Sequence, residues 1–107
     1  MFKKDERLSK QKDINRVFAQ GKKVFSRSLI LFFLKNDLKT RRATVIVSSK
    51  VSKKATERNL YKRRIREVVK NLESIGFDMV IVALKEIKNQ DFIGIKKDLE
   101  NAVGKIK

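Results

Sequence analysis

The first apolar positions of the chain recur with a helical period. Ile14, Val17 and Phe18 are spaced so that they share one face of a helix, and Gly21 is a typical residue just after a helix end. The pattern therefore predicts a helix over residues 10–20.

Two runs rich in apolar, aromatic and β-branched residues follow, and both predict strands. Residues 24–34 (VFSRSLILFFL) predict one buried strand, with Asn36 and Asp37 in the turn after it. Residues 43–52 (ATVIVSSKVS) predict the antiparallel partner of that strand.

Helical periodicity returns over residues 56–75, where apolar residues recur at alternating steps of four and three. Thr56 is the expected N-cap of this helix, and Gly76 is the expected stop. The apolar stripe consists of Tyr61, Ile65, Val68, Leu72 and Ile75.

The last part of the chain predicts a buried strand over residues 78–84 (DMVIVAL) and a helix over residues 90–106. This helix has an apolar stripe formed by Phe92, Ile95, Leu99, Val103 and Ile106. The order helix, strands, helix, strand, helix predicts one α+β domain over residues 1–107, an α/β sandwich with a small, mostly antiparallel central sheet and about three helices.

The excess of positive charge indicates that this small domain is a binding protein. The 107 residues include 28 Lys and Arg against 12 Asp and Glu, which gives a formal net charge of +16. Such an excess repels itself in a compact chain and predicts a polyanionic partner, with nucleic acid as the first candidate.

The charge is concentrated in and just before the predicted helix of residues 56–75. Six residues of that helix fall within an arc of about 140° that avoids the apolar stripe. They are Arg58, Asn59, Lys62, Arg63, Arg66 and Lys70. A solvated helix face would interleave acidic and basic residues, whereas Arg58, Lys62 and Arg66 stack like charges at intervals of four. We interpret this arc as a phosphate-binding ridge, which Lys50, Lys53, Lys54, Arg41 and Arg42 could extend.

Aromatic rings are the second candidate feature, because a base stacked on a ring contributes about 1–3 kcal/mol. Phe32 and Phe33 point to opposite faces of their predicted strand, so one of them is expected in the core. For any single phenylalanine of this region, Phe25 included, burial in the core is the simpler interpretation.

Composition excludes several kinds of site. The chain has no histidine and no cysteine, which removes disulfides, thiolate metal sites and the commonest general base. The acidic residues are scattered, which disfavours a stand-alone, metal-dependent nuclease. No apolar run approaches membrane-spanning length and the N-terminus lacks the apolar middle of a signal peptide, so a cytoplasmic location is expected.

The residues RNLYKRRIRE, 58–67, resemble the bacterial ribonuclease P protein component, whose signature helix carries an R-N-R-x-x-K-R type of pattern. The preceding segment VSSKVSKKATERN is similar to the family's approach to that helix, and RLSKQKDINRVFAQGKKV is similar to its N-terminal R-L-x(4)-D-F-x-x-V-F-x-x-G. Three positions depart from the pattern: Leu60 replaces its second arginine, Leu84 stands where an arginine is common, and Ile14 stands where an aromatic is usual.

The resemblance implies a ribonucleoprotein endonuclease that removes the 5′ leader of precursor tRNA. In such an enzyme a large RNA subunit and its Mg²⁺ ions cut the bond, so the implied protein has no catalytic residues and holds no metal of its own. The resemblance also implies an unusual left-handed β-α-β crossover, which the usual right-handed preference would exclude.

Two groups of binding residues follow from the resemblance. Contact with the RNA subunit is implied for Lys50, Lys53, Lys54, Arg58, Asn59, Lys62, Arg63 and Arg66. Contact with the precursor tRNA leader, in a cleft between the sheet and the first helix, is implied for Ile14, Phe18, Phe32 and Ser48.

Two other functions fit parts of the sequence. Composition alone fits a non-catalytic ribosomal or ribosome-assembly RNA-binding protein equally well, and only the order and spacing of the motifs separate it from a ribonuclease P subunit. A DNA-binding module is the third alternative, but the chain shows no compact helix-turn-helix pattern and no dimerising zipper.

Overall fold

The computed structural model describes residues 7–8, 10–36, 41–71 and 76–105. Their elements, in chain order, are α1 (Gln11–Gln20), β1 (Lys22–Phe25), β2 (Leu29–Lys35), β3 (Arg42–Ile46), α2 (Ala55–Lys70), β4 (Phe77–Ala83), a 3₁₀ helix (Lys85–Asn89) and α3 (Phe92–Gly104). The predicted α+β class, with about three helices around a small sheet, is confirmed.

The four strands form one sheet in the order β1-β2-β4-β3. Strand β2 is antiparallel to both β1 and β4, whereas β3 is parallel to β4, so the sheet is mostly antiparallel as expected. Strand β4 lies at the centre because it is apolar on both faces: Met79, Val80 and Ile81 are all fully buried.

The single strand predicted over residues 24–34 is wrong, because the chain reverses within it. Strands β1 and β2 form a hairpin whose turn is closed by the Ser26 amide, which donates to the Leu29 carbonyl at 2.8 Å. Asp98 of α3 holds the turn: it accepts hydrogen bonds from the Ser28 hydroxyl at its carboxylate (2.6 Å) and from the Ser26 hydroxyl at its carbonyl (3.1 Å). A turn without glycine or proline is therefore stabilised by residues distant in sequence.

The predicted pairing of residues 43–52 is also wrong. Strand β3 ends at Ile46 and pairs in parallel with β4, not in antiparallel with β2. Parallel neighbours require a crossover connection, and α2 provides it between β3 and β4. This is the connection for which the resemblance implies a left-handed sense, which stays a prediction.

Helix α1 matches its prediction to within one residue and ends at a close contact. The Gly21 amide donates to the Val17 carbonyl at 2.9 Å, and Gly21 lies against strand β2. A Cβ atom at this position would stand 2.4 Å from the Val17 carbonyl oxygen and 2.6 Å from that of Phe33. Only glycine allows the helix end to approach the sheet this closely.

Helix α2 starts earlier than predicted and has a different N-terminus. Its N-cap residue is Lys54, which makes no side-chain capping bond, so the predicted cap at Thr56 is wrong. The Ser52 hydroxyl instead links the residue before the helix to its first turn: it accepts from the Lys54 amide and donates to the carboxylate of Glu57. Tyr61, Ile65 and Val68 are buried as predicted, while Leu72 and Ile75 lie outside the described residues.

The last strand and helix have nearly the predicted bounds. Helix α3 begins after Asp91, whose carboxylate accepts from the Gly94 amide at 2.8 Å, an N-cap the sequence pattern did not single out. Ile95 and Leu99 are fully buried, whereas Phe92 is 38% exposed and Ile106 lies outside the described residues. The 3₁₀ helix between β4 and α3 was not predicted.

The helices cover the two faces of the sheet unequally. Helices α2 and α3 pack on one face and enclose the larger apolar cluster, which includes Leu31, Ile65 and Leu99. Helix α1 packs on the other face against β2 and β4, around a small cluster of Leu8, Val17 and Val80. One short helix cannot cover four strands, so part of this second face stays open.

No helix within residues 7–8, 10–36, 41–71 and 76–105 combines the length and the apolar character needed to cross a membrane.

Candidate nucleic-acid interface

The cationic arc predicted for α2 lies on the solvent side of that helix. The opposite side is buried in the core through Tyr61, Ile65, Val68 and Val69. We call the outward residues the cationic ridge; they are Arg58, Asn59, Lys62, Arg63, Arg66 and Lys70. Asn59, Arg63 and Lys70 are exposed, and Arg58, Lys62 and Arg66 are half-buried.

Arg58 differs from its neighbours on the ridge because it also holds the chain before the helix. Its Nη1 atom donates to the Ser52 carbonyl at 2.9 Å. Ser52 and the preceding Val51 are themselves buried, at 6% and 4% exposure. The Arg58 guanidinium therefore fixes residues 48–54 in place as well as adding a charge to the ridge.

Residues 48–54, which we call the approach segment, carry three of the predicted RNA-binding lysines. The segment turns back on itself, since the Val51 amide donates to the Ser48 carbonyl at 3.0 Å and the Lys50 amide to the Ser48 hydroxyl at 3.3 Å. Lys50, Lys53 and Lys54 are all exposed. Because Val51 and Ser52 of this segment are buried, its lysines have defined positions next to the cationic ridge.

Glu57 is the acidic residue at the base of this arrangement. The hydrogen bond from Ser52 lowers the pKa of Glu57, burial opposes that effect, and the charges of Lys88 and Lys54 add to it. The carboxylate thus stays ionised next to two lysines and helps to order the approach segment.

Leu60 borders the cationic ridge. The outer side of α2 has a shallow depression lined by Thr56, Asn59, Leu60, Arg63, Arg66 and Glu67. The nearby Arg64, which we expect to offset part of the charge missing at Leu60, has its guanidinium carbon 5.9 Å from the centre of the Tyr61 ring. That compensation stays a prediction.

Arg41, just before β3, and Arg42, the first residue of β3, have different surroundings. Arg41 donates from Nη2 to the Lys70 carbonyl at 2.8 Å, so it does lie at the C-terminal end of the ridge. Arg42, by contrast, is bonded to Asp78 and Asp13 under α1. Hydrogen bonding to Asp78 raises the pKa of Arg42 above its ordinary value. The predicted extension of the RNA-binding surface through Arg42 is therefore wrong.

A second candidate surface lies where α1 meets the open face of the sheet. The rings of Phe18 and Phe32 make an edge-to-face contact, with centroids 4.8 Å apart and planes at 76°. Phe18 is 41% exposed, while Phe32 and Ile14 are half-buried around the small cluster. Three predicted leader-binding residues thus lie together on one partly exposed surface, which we call the aromatic groove and define by Ile14, Phe18 and Phe32.

Ser48, the fourth predicted leader residue, lies beyond one end of the groove. Ile46, at the end of β3, packs against the same small cluster as Ile14 and Phe32. The exposed Ser48 follows two residues later and begins the approach segment. The chain from Ile46 to Lys54 therefore joins the aromatic groove to the cationic ridge.

Phe33 takes the core position expected for one of the two adjacent phenylalanines. It is 8% exposed on the opposite face of the sheet, where its ring contacts Phe77 edge to face at 6.1 Å. Phe25, in contrast, is 60% exposed, so the interpretation of Phe25 as a core residue is wrong. Recognising it would have required the turn at residues 26–28, which the sequence pattern does not reveal.

Four carboxylates near these surfaces are already engaged. The carboxylates of Asp13 and Asp78 bind Arg42, that of Asp98 accepts from Ser28, and that of Glu57 accepts from Ser52. In the part of the chain that the structure describes, no three His, Cys, Asp or Glu side chains converge as metal ligands. The arrangement is suited to binding a polyanion and unpaired bases.

Comparison with known proteins gives consistent matches. The family model described as Ribonuclease P matches residues 2–107. The ribonuclease P protein component of Caldanaerobacter subterraneus subsp. tengcongensis is 33% identical over 98% of this chain and 92% of its own length, and that of Thermotoga maritima is 30% identical over 98% and 95%.

Solved structures agree with the sequence matches. The RNase P protein from Staphylococcus aureus superposes with a TM-score of 0.86 at 27% identity, covering 95% of each chain. The RNase P protein from Thermotoga maritima superposes with a TM-score of 0.84 at 31% identity, covering 95% of this chain and 98% of the other.

Proposed function

The chain belongs to the ribonuclease P protein family, and we infer from this membership that it is the protein subunit of a bacterial ribonuclease P. In that role it binds the catalytic RNA subunit and the 5′ leader of precursor tRNA, and promotes endonucleolytic 5′ maturation. The matches favour this assignment over a ribosomal protein. The single observation that carries it is the family match over residues 2–107, which include both candidate surfaces.

The proposed division of labour gives binding to the protein and bond cleavage to the RNA. A general acid or base needs a titratable group that is free to exchange a proton near the reacting atoms. The chain has no histidine and no cysteine. The carboxylates of Asp13, Asp78, Asp98 and Glu57 are hydrogen-bonded within the fold. The polypeptide alone is therefore expected to be inactive.

The RNA subunit would bind to the cationic ridge and the approach segment. Contacts between Lys or Arg and phosphate release counterions and tolerate any base, so they suit a large structured RNA. Arg63 is the most direct candidate because it is exposed, whereas Arg58 also supports the approach segment. Asn59 adds an exposed amide that can bond a base edge or a 2′-hydroxyl.

The leader would cross the aromatic groove. Stacking on Phe18 and Phe32 accepts every base, because each base offers a π face. A surface of this kind suits leaders of differing sequence. The approach segment joins the groove to the ridge, so one RNA–protein complex can engage both surfaces together.

The proposal includes Mg²⁺ as the metal of the reaction, held mainly by the RNA subunit. Phosphate oxygens and water are the ligands that Mg²⁺ prefers. The side chains described here do not form a matching carboxylate site, so no step is assigned to a metal on the protein. The proposal also includes a cytoplasmic location, since tRNA maturation takes place there in bacteria.

The test is single-turnover cleavage of a precursor tRNA by a bacterial ribonuclease P RNA at low Mg²⁺, with the protein, without it, and with the protein alone. We expect stimulation by the wild-type protein and no cleavage by the protein alone. Arg63→Ala should stimulate less, while Lys97→Ala, an exposed cation on α3, should match wild type. Absence of stimulation by a folded protein with its cognate RNA would overturn the proposal.

A further inference from the structure

The open face of the sheet carries an apolar row that crosses all four strands. Pairing in the sheet sets Phe25 opposite Ile30, Ile30 opposite Val82, and Val82 opposite Ile46. Directly paired residues share a face of the sheet. We call these four residues the open row. Its first three members from the β3 side, Ile46, Val82 and Ile30, are half-buried, and Phe25 at the β1 end is 60% exposed.

The open row continues the aromatic groove. Ile46 and Val82 pack against the same small cluster as Phe32, whose ring contacts Phe18. Phe32 pairs with Lys23 on β1, two residues before Phe25. The surface thus extends from the groove to the edge of the sheet without crossing to another face.

The far end of the row has the chemistry of a site for an unpaired nucleotide. The ring of Phe25 offers a stacking surface, and the Nζ atom of Lys23 lies 5.3 Å from the centre of that ring. The ammonium group could bind the phosphate of a base that stacks there. An apolar protein segment would leave Lys23 unpaired, and the net charge of +16 favours a polyanion. RNA is therefore the occupant that fits this edge.

The row is too long for a single base. From β3 to β1 it spans three inter-strand spacings, about 14 Å. The β3 end lies next to the approach segment, where the RNA subunit would bind, and Phe25 lies at the opposite end. An RNA strand that leaves the β3 side reaches Phe18 and Phe32 before it reaches Phe25.

We propose that Phe25 stacks a leader base farther from the cleavage site than the bases held at Phe18 and Phe32, so that Phe25 sets how much leader the holoenzyme senses. This rests on the proposed function. Phe25 acts here in substrate binding, not in bond cleavage. Its loss should weaken the binding only of precursors whose leaders are long enough to reach it.

The test measures the dissociation constant of the reconstituted holoenzyme for precursor tRNAs whose leaders are shortened one nucleotide at a time, down to mature tRNA. Phe25→Ala should weaken binding of the longest leaders about 5-fold or more, which corresponds to the lower end of one base–aromatic stack. It should bind short leaders and mature tRNA as wild type does. The Phe18→Ala loss should begin at a shorter leader length.

Two further variants separate stacking from folding. Phe25→Trp keeps an aromatic face and should retain wild-type affinity at every leader length. Ile93→Ala removes a similarly exposed apolar side chain, 62% exposed on α3, and should have no length-dependent effect. An abasic nucleotide placed at the leader position over Phe25 should cause no further loss of affinity in Phe25→Ala. An abasic nucleotide at an unrelated leader position should instead add its own loss of affinity to that of Phe25→Ala.

The outcomes are distinguishable. A loss of affinity in Phe25→Ala that is equal for all leader lengths, mature tRNA included, would overturn the inference, because it would show a general structural effect. Unchanged affinity at all lengths would overturn it as well. If the wild-type holoenzyme itself binds every precursor equally regardless of leader length, then the proposed leader groove fails, and the inference about Phe25 fails with it.

Discussion

Arg42 binds the buried carboxylate of Asp78 through two parallel hydrogen bonds, from Nε to Oδ1 at 2.9 Å and from Nη2 to Oδ2 at 2.7 Å. The same guanidinium reaches Asp13 of α1 at 3.4 Å, and Asn36 donates to Asp78 at 2.8 Å. One side chain of β3 therefore connects the central strand to the only helix on the open face, within the described residues.

Removing the guanidinium should destabilise the fold. Arg42→Met leaves the 3% exposed Asp78 without its cationic partner, so the free energy of unfolding should fall by about 3 kcal/mol. Urea denaturation measures this. The double variant Arg42→Met with Asp78→Leu removes both charges and should recover much of the loss. Equal losses in the single and double variants would contradict this account.

Gly21→Ala should destabilise the junction between α1 and β2. The added Cβ would meet the carbonyl oxygens of Val17 and Phe33 at 2.4 and 2.6 Å, and both atoms belong to the backbone. We expect a loss of about 1–3 kcal/mol in unfolding free energy. Gly104→Ala is the matched control: a Cβ there meets no atom within 4 Å, and Gly104 is the last residue of α3, so the unfolding free energy should change by less than about 0.5 kcal/mol. Equal effects at both positions would refute the close-contact explanation.

Arg63→Ala should change the salt dependence of RNA binding. An exposed arginine that neutralises one phosphate contributes about one unit to the slope of log affinity against log salt concentration. We expect the slope to become shallower by about that amount, with no change in the unfolding midpoint. Lys97→Ala, on α3, should leave the slope unchanged. An unaltered slope in Arg63→Ala would mean that the ridge is only a solvated helix face.

Arg58→Ala should be less stable than Arg63→Ala. The Arg58 guanidinium donates to the Ser52 carbonyl, and its loss should lower the free energy of unfolding by about 1–2 kcal/mol. Thermal or urea denaturation of both variants, beside binding measurements, tests the difference. If both variants unfold at the same temperature or urea concentration as wild type, then the bond from Arg58 to Ser52 does not stabilise the approach segment.

Glu57 should make stability depend on pH in acid. Its pKa is lower in the folded chain, chiefly because Ser52 donates to it, so the unfolded chain binds the proton more tightly. The stabilisation is complete above the pKa of the unfolded state and is lost as the pH falls through the folded value. The gap in urea midpoint between wild type and Glu57→Gln should therefore be largest near neutrality and should close in acid. In a Ser52→Ala background the gap should shrink at neutral pH; a gap independent of pH would contradict the assignment.

Local periodicity was sufficient to locate α1, α2, β4 and α3, because each buries a regular stripe or a continuous apolar run. It was also sufficient to locate the cationic ridge, because the buried apolar side of α2 determines which side of the helix faces solvent. Strand pairing was not accessible in this way. The β-branched residues of β3 favour a strand but do not specify its partner. The parallel pairing of β3 follows from the central place of β4, and that place depends on the arrangement of the whole sheet.

The hairpin of β1 and β2 explains the errors on the open face. In a continuous strand, Phe25 and Phe32 are seven residues apart and would point to opposite faces. The reversal at residues 26–28 brings them to the same face, and the serines of that turn bond to Asp98, some seventy residues away. Arg42 is a similar case: its basic side chain fits a binding surface until the tertiary contact with Asp78 is known.

The two faces of the sheet separate most of the residues that maintain the fold from those that we propose to contact the leader. Most buried apolar side chains lie between the sheet and helices α2 and α3, whereas Phe18 and Phe25 stand partly exposed on the other side. A substitution at Phe25 removes little buried surface, whereas Phe18 also packs on the Phe32 ring. Under the proposed function, a changed side chain at the outer edge of the groove would alter leader binding at little cost in fold stability, so leader preference can change while the main core stays the same.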